Sequence, residues 1–207
     1  YRKEQRIALS NNAIRSISVS PDGKMMAVGG IEYVIRLWGI AENRVLREYV
    51  GHNGDAYALT FNNDGTQLIY GGRDDSLTCW DVATGKMVRR LRGHSGSVYD
   101  IDFAASSKRF ASCSEDGQVK LWDAVTGLEV ISLNPDLGEV TSLSFSPDGK
   151  LLAVSGESGG FVIYDTRPLT QEIRDEPWVE LLRAETKAQS LKHQADRFVE
   201  KGKLKEA

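Results

Sequence analysis

Short apolar runs separated by turn residues recur along the chain with a period of 42 residues. Aromatic residues mark this period, since Trp38, Trp80, Trp122 and Tyr164 are each that distance apart. A fixed period of this length indicates a repeat architecture. The apolar positions follow it in four aligned sets: Ile14, Ala56, Val98 and Val140; Ile17, Leu59, Ile101 and Leu143; Val19, Phe61, Phe103 and Phe145; Leu37, Cys79, Leu121 and Ile163.

Each repeat has the pattern of four short strands joined by tight turns. In residues 97 to 134 the apolar runs are 98–103, 110–113, 119–122 and 128–133. Asp-Gly and Thr-Gly in the last two connections tolerate the backbone angles of such turns. A four-stranded antiparallel sheet cannot bury both of its apolar faces alone, so we expect an all-β fold whose sheets pack on one another, radially as in a propeller.

Motif residues recur at fixed places within the repeats. Gly51-His52 and Gly93-His94 are one period apart, Trp80-Asp81 and Trp122-Asp123 close the third predicted strand, and an Asp precedes each of these Trp by six residues. This phased combination resembles the WD40 repeats of β-propellers. The resemblance implies a segment of four propeller blades, with boundaries at about 3–50, 51–92, 93–134 and 135–168.

In that family a His, a Ser or Thr, an Asp and the Trp hydrogen-bond in sequence and hold a blade together. The third repeat matches this pattern fully, whereas the second has Tyr70 where the hydroxyl belongs. The first and fourth repeats lack most of it and are expected to rely on packing. The residues that the resemblance implies are His94, Ser112, Asp116 and Trp122 in the third repeat, and His52, Asp74 and Trp80 in the second.

Ser112, His94 and Asp116 are also the residue types of a hydrolase triad. No Gly-x-Ser-x-Gly turn surrounds Ser112, and the spacing is explained by the repeat. The three His, at 52, 94 and 193, lack metal-ligand spacing. Three glycine pairs are interpreted as hairpin glycines rather than a phosphate cradle, namely Gly29-Gly30, Gly71-Gly72 and Gly159-Gly160. We therefore predict no catalytic residue, no metal and no cofactor.

The bulk properties argue against nucleic-acid and membrane partners. The formal net charge is -3, and the sequence contains neither a long apolar span nor a signal-peptide pattern. Cys79 and Cys113 lie inside apolar runs, which is typical of buried free thiols in a reducing compartment. We therefore expect a cytoplasmic location.

Propellers of this resemblance bind partners on their top face, at the start of the first strand and before the tetrad Asp. Tyr and Arg at these places are the residue types that dominate binding hot spots. We predict that Tyr57 and Tyr99, on adjacent blades, form an aromatic strip that accepts a protein or peptide. The predicted partner-binding residues are Arg15, Asp55, Tyr57, Arg73, Tyr99 and Glu115.

Four blades would leave open edges and uncovered apolar faces at both ends of the segment. Residues 3 to 9 fall one period before residues 45 to 51, so they have the pattern of the outer strand of a preceding blade. That strand could also complete the last blade. We expect either that the chain is a fragment whose upstream blades are missing, or that two chains associate into an eight-bladed ring.

After Pro168 the pattern becomes helical. Residues 169–176 are predicted to be a linker, and 177–207 an amphipathic C-terminal α-helix whose end resembles the start of a tetratricopeptide-type solenoid. The sequence as a whole favours a non-catalytic scaffold for protein interaction. Two alternatives are a regulatory or sensory domain of a multidomain enzyme such as a bacterial Ser/Thr kinase, and a propeller-plus-solenoid assembly protein.

Overall fold

The computed structural model describes residue 7 and residues 12–50, 54–104 and 109–167. Within these ranges every regular element is a β-strand, and no helix there has the length and apolar content that a bilayer crossing requires. His52, the predicted outer strand at residues 3 to 9 and the predicted C-terminal helix lie outside the described residues.

Fifteen strands follow one another in the described ranges. They are β1 (Ile14–Val19), β2 (Met25–Gly30), β3 (Val34–Gly39), β4 (Arg44–Val50), β5 (Ala56–Phe61), β6 (Gln67–Gly72), β7 (Ser76–Asp81), β8 (Met87–Arg92), β9 (Val98–Phe103), β10 (Arg109–Ser114), β11 (Val119–Asp123), β12 (Glu129–Leu133), β13 (Val140–Phe145), β14 (Leu151–Gly156) and β15 (Phe161–Asp165).

The strands form four separate antiparallel sheets in chain order, which we call blades 1 to 4. Blade 1 is β1–β4, blade 2 is β5–β8 and blade 3 is β9–β12, while blade 4 has β13–β15 among the described residues. Strands that are consecutive in the sequence are hydrogen-bonded neighbours in every blade, so each blade is a meander, as predicted. In blade 3 the predicted strand limits agree with the structure to within one residue.

The Asp of each Trp-Asp pair shapes the turn between the third and fourth strands. Asp81 Oδ1 accepts hydrogen bonds from Thr84 Oγ1 at 2.6 Å and from Thr84 N at 2.7 Å, and Asp123 accepts the same pair from Thr126. The bonds from Thr84 hold the pKa of Asp81 below its ordinary value, so the carboxylate stays an acceptor. Gly85 then closes the turn with a φ of 71°, which favours glycine.

The apolar core lies between successive blades rather than within one sheet. Leu37 of blade 1 packs in one cluster with Leu59 of blade 2, and Cys79 of blade 2 packs in a second with Ile101 of blade 3. A third cluster joins Leu121 of blade 3 to blade 4. The aligned apolar positions of the sequence therefore lie on the two facing sides of the contact between neighbouring blades. This contact occurs three times, between blades 1 and 2, 2 and 3, and 3 and 4.

Gly29 and Gly71 serve this packing, and the interpretation of their glycine pairs as hairpin glycines is wrong. Gly29-Gly30 ends β2 and Gly71-Gly72 ends β6, inside the sheets. A Cβ on Gly71 would lie only 2.7 Å from Val98 Cγ1, so a side chain at this place would push blade 3 away. Glycine is needed at this position because a neighbouring blade approaches closely. The residues next to it in the sequence do not indicate this approach, since the contact is with another blade.

Candidate functional site

Blade 3 contains a continuous hydrogen-bonded network of four side chains. Trp122 Nε1 donates to Ser112 Oγ at 2.9 Å, Ser112 Oγ lies 2.8 Å from His94 Nε2, and His94 Nδ1 lies 2.9 Å from Asp116 Oδ2. Ser112 is in β10, the second strand of the blade, and Trp122 is in the third strand β11, while His94 precedes β9. The network therefore ties together the start of the blade and two of its strands.

The donors fix the direction of the protons in this network. The indole N–H of Trp122 can only donate, so the Ser112 hydroxyl accepts it and turns its own hydrogen toward His94 Nε2. His94 then carries its hydrogen on Nδ1 and donates it to Asp116. Every polar atom along the chain of bonds has a partner, which is the condition for a buried polar network to stabilise a fold.

Burial and hydrogen bonding set the charges of the network. Burial lowers the pKa of His94, so its imidazole is neutral although Asp116 lies beside it. Burial also opposes ionisation of Asp116, but hydrogen bonds from Ser95 N and His94 hold the pKa of this carboxyl below its ordinary value. At neutral pH the pair is therefore a neutral histidine donating to a carboxylate.

The burial of Ser112 fits a structural role and not that of a nucleophile. Its side chain is 0% exposed, and its oxygen is already engaged by Trp122 and His94. A hydrolase serine must present its oxygen to a substrate carbonyl beside oxyanion donors. The residue types of a triad are present here, but the hydroxyl lies inside the blade.

Blade 2 places different atoms around the equivalent tryptophan. Tyr70 Oη lies 3.4 Å from Asp74 Oδ1 and 3.5 Å from the carbonyl oxygens of Gly54 and Asp55, which are long contacts. Trp80 Nε1 is buried and has no hydrogen-bond partner in the described part of the chain. The side chain of Tyr70 thus occupies the place that the Ser112 hydroxyl has in blade 3.

A β-bulge occurs at the same place on the first strand of every blade. Two consecutive residues of the second strand pair there with first-strand residues that are two positions apart, in blades 1 to 4 alike. A bulge turns the extra side chain out of the regular ladder, and bulges are frequent at binding sites. The extra residues are Arg15, Tyr57, Tyr99 and Thr141.

The bulges of blades 2 and 3 bring two aromatic rings together. The ring centroids of Tyr57 and Tyr99 are 5.8 Å apart with an interplanar angle of 53°, and both side chains are half-buried. Tyr99 Oη donates to Glu139 Oε2 of blade 4 at 3.1 Å. Burial, together with this bond, raises the pKa of Tyr99 to about 12, so the hydroxyl remains a donor. The pair is a pre-formed aromatic surface.

Charged residues flank this tyrosine pair. Arg73 and Glu115 are exposed at equivalent places after the second strands of blades 2 and 3. Glu115 Oε2 accepts a hydrogen bond from Ser97 N at 3.2 Å, and the bonds to Ser97 together with the charge of Arg73 lower the pKa of Glu115. The backbone carbonyl of Asp55 accepts a bond from Arg73 N at 3.2 Å. Arg73 and Glu115 thus place charges of opposite sign on the two blades that carry the tyrosine pair.

Two other residues, Arg15 and Glu139, lie on the blades on either side of the tyrosine pair. Arg15 is exposed on the bulge of blade 1, one blade away from Tyr57. Glu139, which orients Tyr99, is not among the predicted partner-binding residues, although its place one period after Ser97 could have indicated it.

In the ranges that the structure covers, no three His, Cys, Asp or Glu side chains are grouped to hold a metal ion.

A family profile matches the chain four times. The profile is described as "WD domain, G-beta repeat", and its matches are residues 4–39, 43–81, 85–123 and 129–165. Each of the last three matches begins at or near the outer strand of one blade and ends with the third strand of the next. The sequence repeat is therefore shifted by one strand from the sheet, so that consecutive blades share each repeat.

A curated relative matches a shorter part of the chain. It is the general transcriptional corepressor TUP1 of Saccharomyces cerevisiae, which is 40% identical over 48 residues. The match covers 23% of this chain and 7% of the relative's length. The four profile matches, in contrast, cover well over half of the chain. The chain belongs to the WD40 family of WD-domain, G-beta repeats.

Proposed function

We propose that this chain is a non-catalytic scaffold that binds a protein or peptide at the rim of blades 2 and 3. WD40 domains generally mediate protein interaction, which sets the class. The observation that carries the proposal is the contact of the Tyr57 and Tyr99 rings, 5.8 Å apart, on two adjacent bulges.

The chemistry of this patch defines the ligand. Two tyrosine rings offer a large contact area with few rotatable bonds, and such residues dominate binding energy. Arg73 and Glu115 lie beside them as charges of opposite sign. The ligand is therefore a peptide segment that places an apolar or aromatic side chain on the rings and polar groups of both signs on either side.

The rigidity of the patch favours binding without a large entropic cost. Tyr99 is held by Glu139 at 3.1 Å, and Glu115 is held by Ser97 N at 3.2 Å. Side chains that are ordered before binding lose less conformational freedom when the ligand arrives.

A cytoplasmic location belongs to the same proposal. Cys79 and Cys113 are both buried free thiols, and burial raises the pKa of Cys79 to about 11. Such thiols are protonated and inert, which suits a chain that works in a reducing compartment.

A peptide-display experiment tests the proposal. Peptides are selected from a random library on the wild-type chain, and their affinities are measured for the Tyr57→Ala, Tyr99→Ala double variant. We expect a loss of at least about thirtyfold. Val130→Ala, at an exposed position of β12, is the matched control and should leave the affinity unchanged. Selected peptides that bind the double variant as well as the wild type would contradict the proposal.

A further inference from the structure

The turn between the second and third strands holds a residue with a positive φ in each of the four blades. Blades 3 and 4 have glycine there, which adopts this backbone region without steric cost. Blade 1 instead has a tyrosine, Tyr33, at a φ of 54°. A bulky side chain in the left-handed region is an outlier whose cost the surrounding structure must offset. The four equivalent residues are Tyr33, Asp75, Gly117 and Gly159.

Packing does not explain the tyrosine at this place. Tyr33 is 54% exposed, and it belongs to none of the three apolar clusters of the described residues. The exposure is not an effect of its being in the first blade, because Asp75, at the same place in blade 2, is exposed although blades lie on both sides. A backbone outlier that the packing does not require points to a contact with another molecule.

Tyr33 lies at the same end of the blades as the tyrosine pair of blades 2 and 3. In every blade, the N–H that follows the second strand donates to the carbonyl that precedes the first strand. In blade 1 this bond joins Ile31 N to Ala13 O at 3.3 Å, and in blade 2 it joins Arg73 N to Asp55 O at 3.2 Å. The turn that contains Tyr33 is therefore the blade 1 equivalent of the turn that carries Arg73 in the proposed binding site.

Tyr33 and Tyr57, on adjacent blades, are within reach of one ligand segment. A Cβ on Gly29, near the end of β2, would lie 2.8 Å from Ala56 Cβ, so this strand end touches the strand that carries Tyr57. Tyr33 follows Gly29 by four residues, and this length of chain spans at most about 14 Å. An extended peptide of about seven residues, ~24 Å long, can therefore contact both rings.

Arg15 supplies the charge of this part of the rim. It is exposed on the bulge of blade 1, and no carboxylate of the described residues forms an ion pair with it. Glu32, next to Tyr33, is instead paired with Arg36, so its charge is balanced within blade 1. A ligand that extends from Tyr57 to Tyr33 therefore meets a cation on blade 1.

We propose that Tyr33 is a second anchor for the peptide that binds the tyrosine pair, an inference that rests on the proposed function. The ligand extends from the rings of Tyr57 and Tyr99 onto blade 1. There it places an apolar or aromatic side chain on Tyr33 and a carboxylate beside Arg15. The exposed ring offers contact area with few rotatable bonds, so a tyrosine at this place serves binding at the expense of backbone strain.

Tyr33→Gly tests the anchor, because it should change affinity and stability in opposite directions. The probes are peptides of about 12 residues, which extend to about 40 Å, selected from a random library on the wild-type chain. We expect their dissociation constants to rise by at least about tenfold. The Tm should stay at or above the wild-type value, because glycine relieves the strain at a φ of 54°. An unchanged affinity, or a lower Tm that shows a structural role of the ring, would overturn the inference.

Asn43→Gly is the matched control for the backbone change. Asn43 has a φ of 52° in the turn between β3 and β4, at the opposite end of blade 1. The substitution also places glycine at a position of positive φ, but it should leave the affinity for the selected peptides unchanged. An equal loss of affinity in Asn43→Gly would show that the ring of Tyr33 is not the cause and would overturn the anchor.

Arg15→Gln tests the acidic group of the ligand. Peptides selected on the wild-type chain should contain Asp or Glu more often than peptides selected on this variant, since the variant lacks the cation of blade 1. Equal frequencies in the two selections would overturn the contact with Arg15.

The Tyr57→Ala, Tyr99→Ala double variant separates this inference from the proposed function. A loss of affinity in the double variant while Tyr33→Gly keeps the wild-type affinity would place the whole ligand on blades 2 and 3, and only the second anchor would be wrong. Wild-type affinity in the double variant would contradict the proposed function, and the inference that rests on it would fall as well.

Discussion

Blades 2 and 3 hold a buried tryptophan at the same place and surround its indole N–H with different atoms. In blade 3 Trp122 Nε1 donates to Ser112 Oγ at 2.9 Å, and the bonds continue through His94 to Asp116. In blade 2 Trp80 Nε1 has no partner among the described residues, and Tyr70 stands where the serine would be. Both strand pairings are regular nonetheless.

The difference shows what a single hydroxyl contributes to a blade. A serine oxygen can accept from the indole and donate to the imidazole at once, so it joins two strands and the entry of the blade. A tyrosine at this place fills the space, and its hydroxyl lies 3.4 to 3.5 Å from Asp74 Oδ1 and the carbonyl oxygens of Gly54 and Asp55. The described residues thus form a continuous polar network around the indole N–H of Trp122 in blade 3, whereas those of blade 2 leave the indole N–H of Trp80 outside any hydrogen bond.

Among the substitutions that test this comparison, removal of the His94 side chain should cause the largest loss of stability. His94→Ala removes the acceptor of the buried Ser112 hydroxyl hydrogen and one of the donors to the Asp116 carboxylate. We expect the free energy of unfolding to fall by on the order of 1 to 3 kcal/mol. Urea denaturation followed by fluorescence measures it, and a loss below about 0.5 kcal/mol would show that the network adds little.

The pH dependence of stability should follow from the same histidine. Burial lowers the pKa of His94 in the folded state, so the unfolded chain binds the proton more readily. The stability is therefore complete above the ordinary histidine pKa of about 6.5 and declines as the pH falls below it. Denaturation at pH 7.5 and at pH 5.5 should give a larger loss for the wild type than for His94→Ala; equal losses would exclude this origin.

Two matched tryptophan variants isolate the indole hydrogen bond. Trp122→Phe and Trp80→Phe remove the same ring volume from two buried sites, but among the residues that the structure describes only the N–H of Trp122 has a hydrogen-bond partner. Trp122→Phe should cost about 1 kcal/mol more than Trp80→Phe. Calorimetric unfolding of both variants gives the difference. An equal cost in the two blades would mean that the bond to Ser112 contributes nothing.

Removal of the tyrosine hydroxyl in blade 2 should have the smallest effect. Tyr70→Phe keeps the ring that fills the core and removes a hydroxyl that lies at the long distances of 3.4 Å from Asp74 Oδ1 and 3.5 Å from the carbonyl oxygen of Gly54. We expect a change in the free energy of unfolding of less than about 1 kcal/mol. A loss as large as that of His94→Ala would show that blade 2 also depends on its polar contacts.

The period of the sequence predicts the sheets and the hydrogen-bonded side chains of blade 3, because both depend on residue types at fixed spacing. Cross-blade details depend on backbone geometry instead. The bulge positions hold Arg15, Tyr57, Tyr99 and Thr141, which are of three different residue types, so no single type of side chain marks them. Gly71 in β6 has the same origin, since the close approach of Val98 in blade 3 leaves no room for a side chain there.

One substitution tests most directly whether the network of blade 3 is structural. Ser112→Ala is compared with the wild type by thermal unfolding and by hydrolysis of an activated ester. Because two buried groups lose their partner, we predict that the Tm falls by on the order of 5 °C while the rate of hydrolysis does not change. An unchanged Tm together with the loss of a hydrolytic activity would contradict a non-catalytic scaffold.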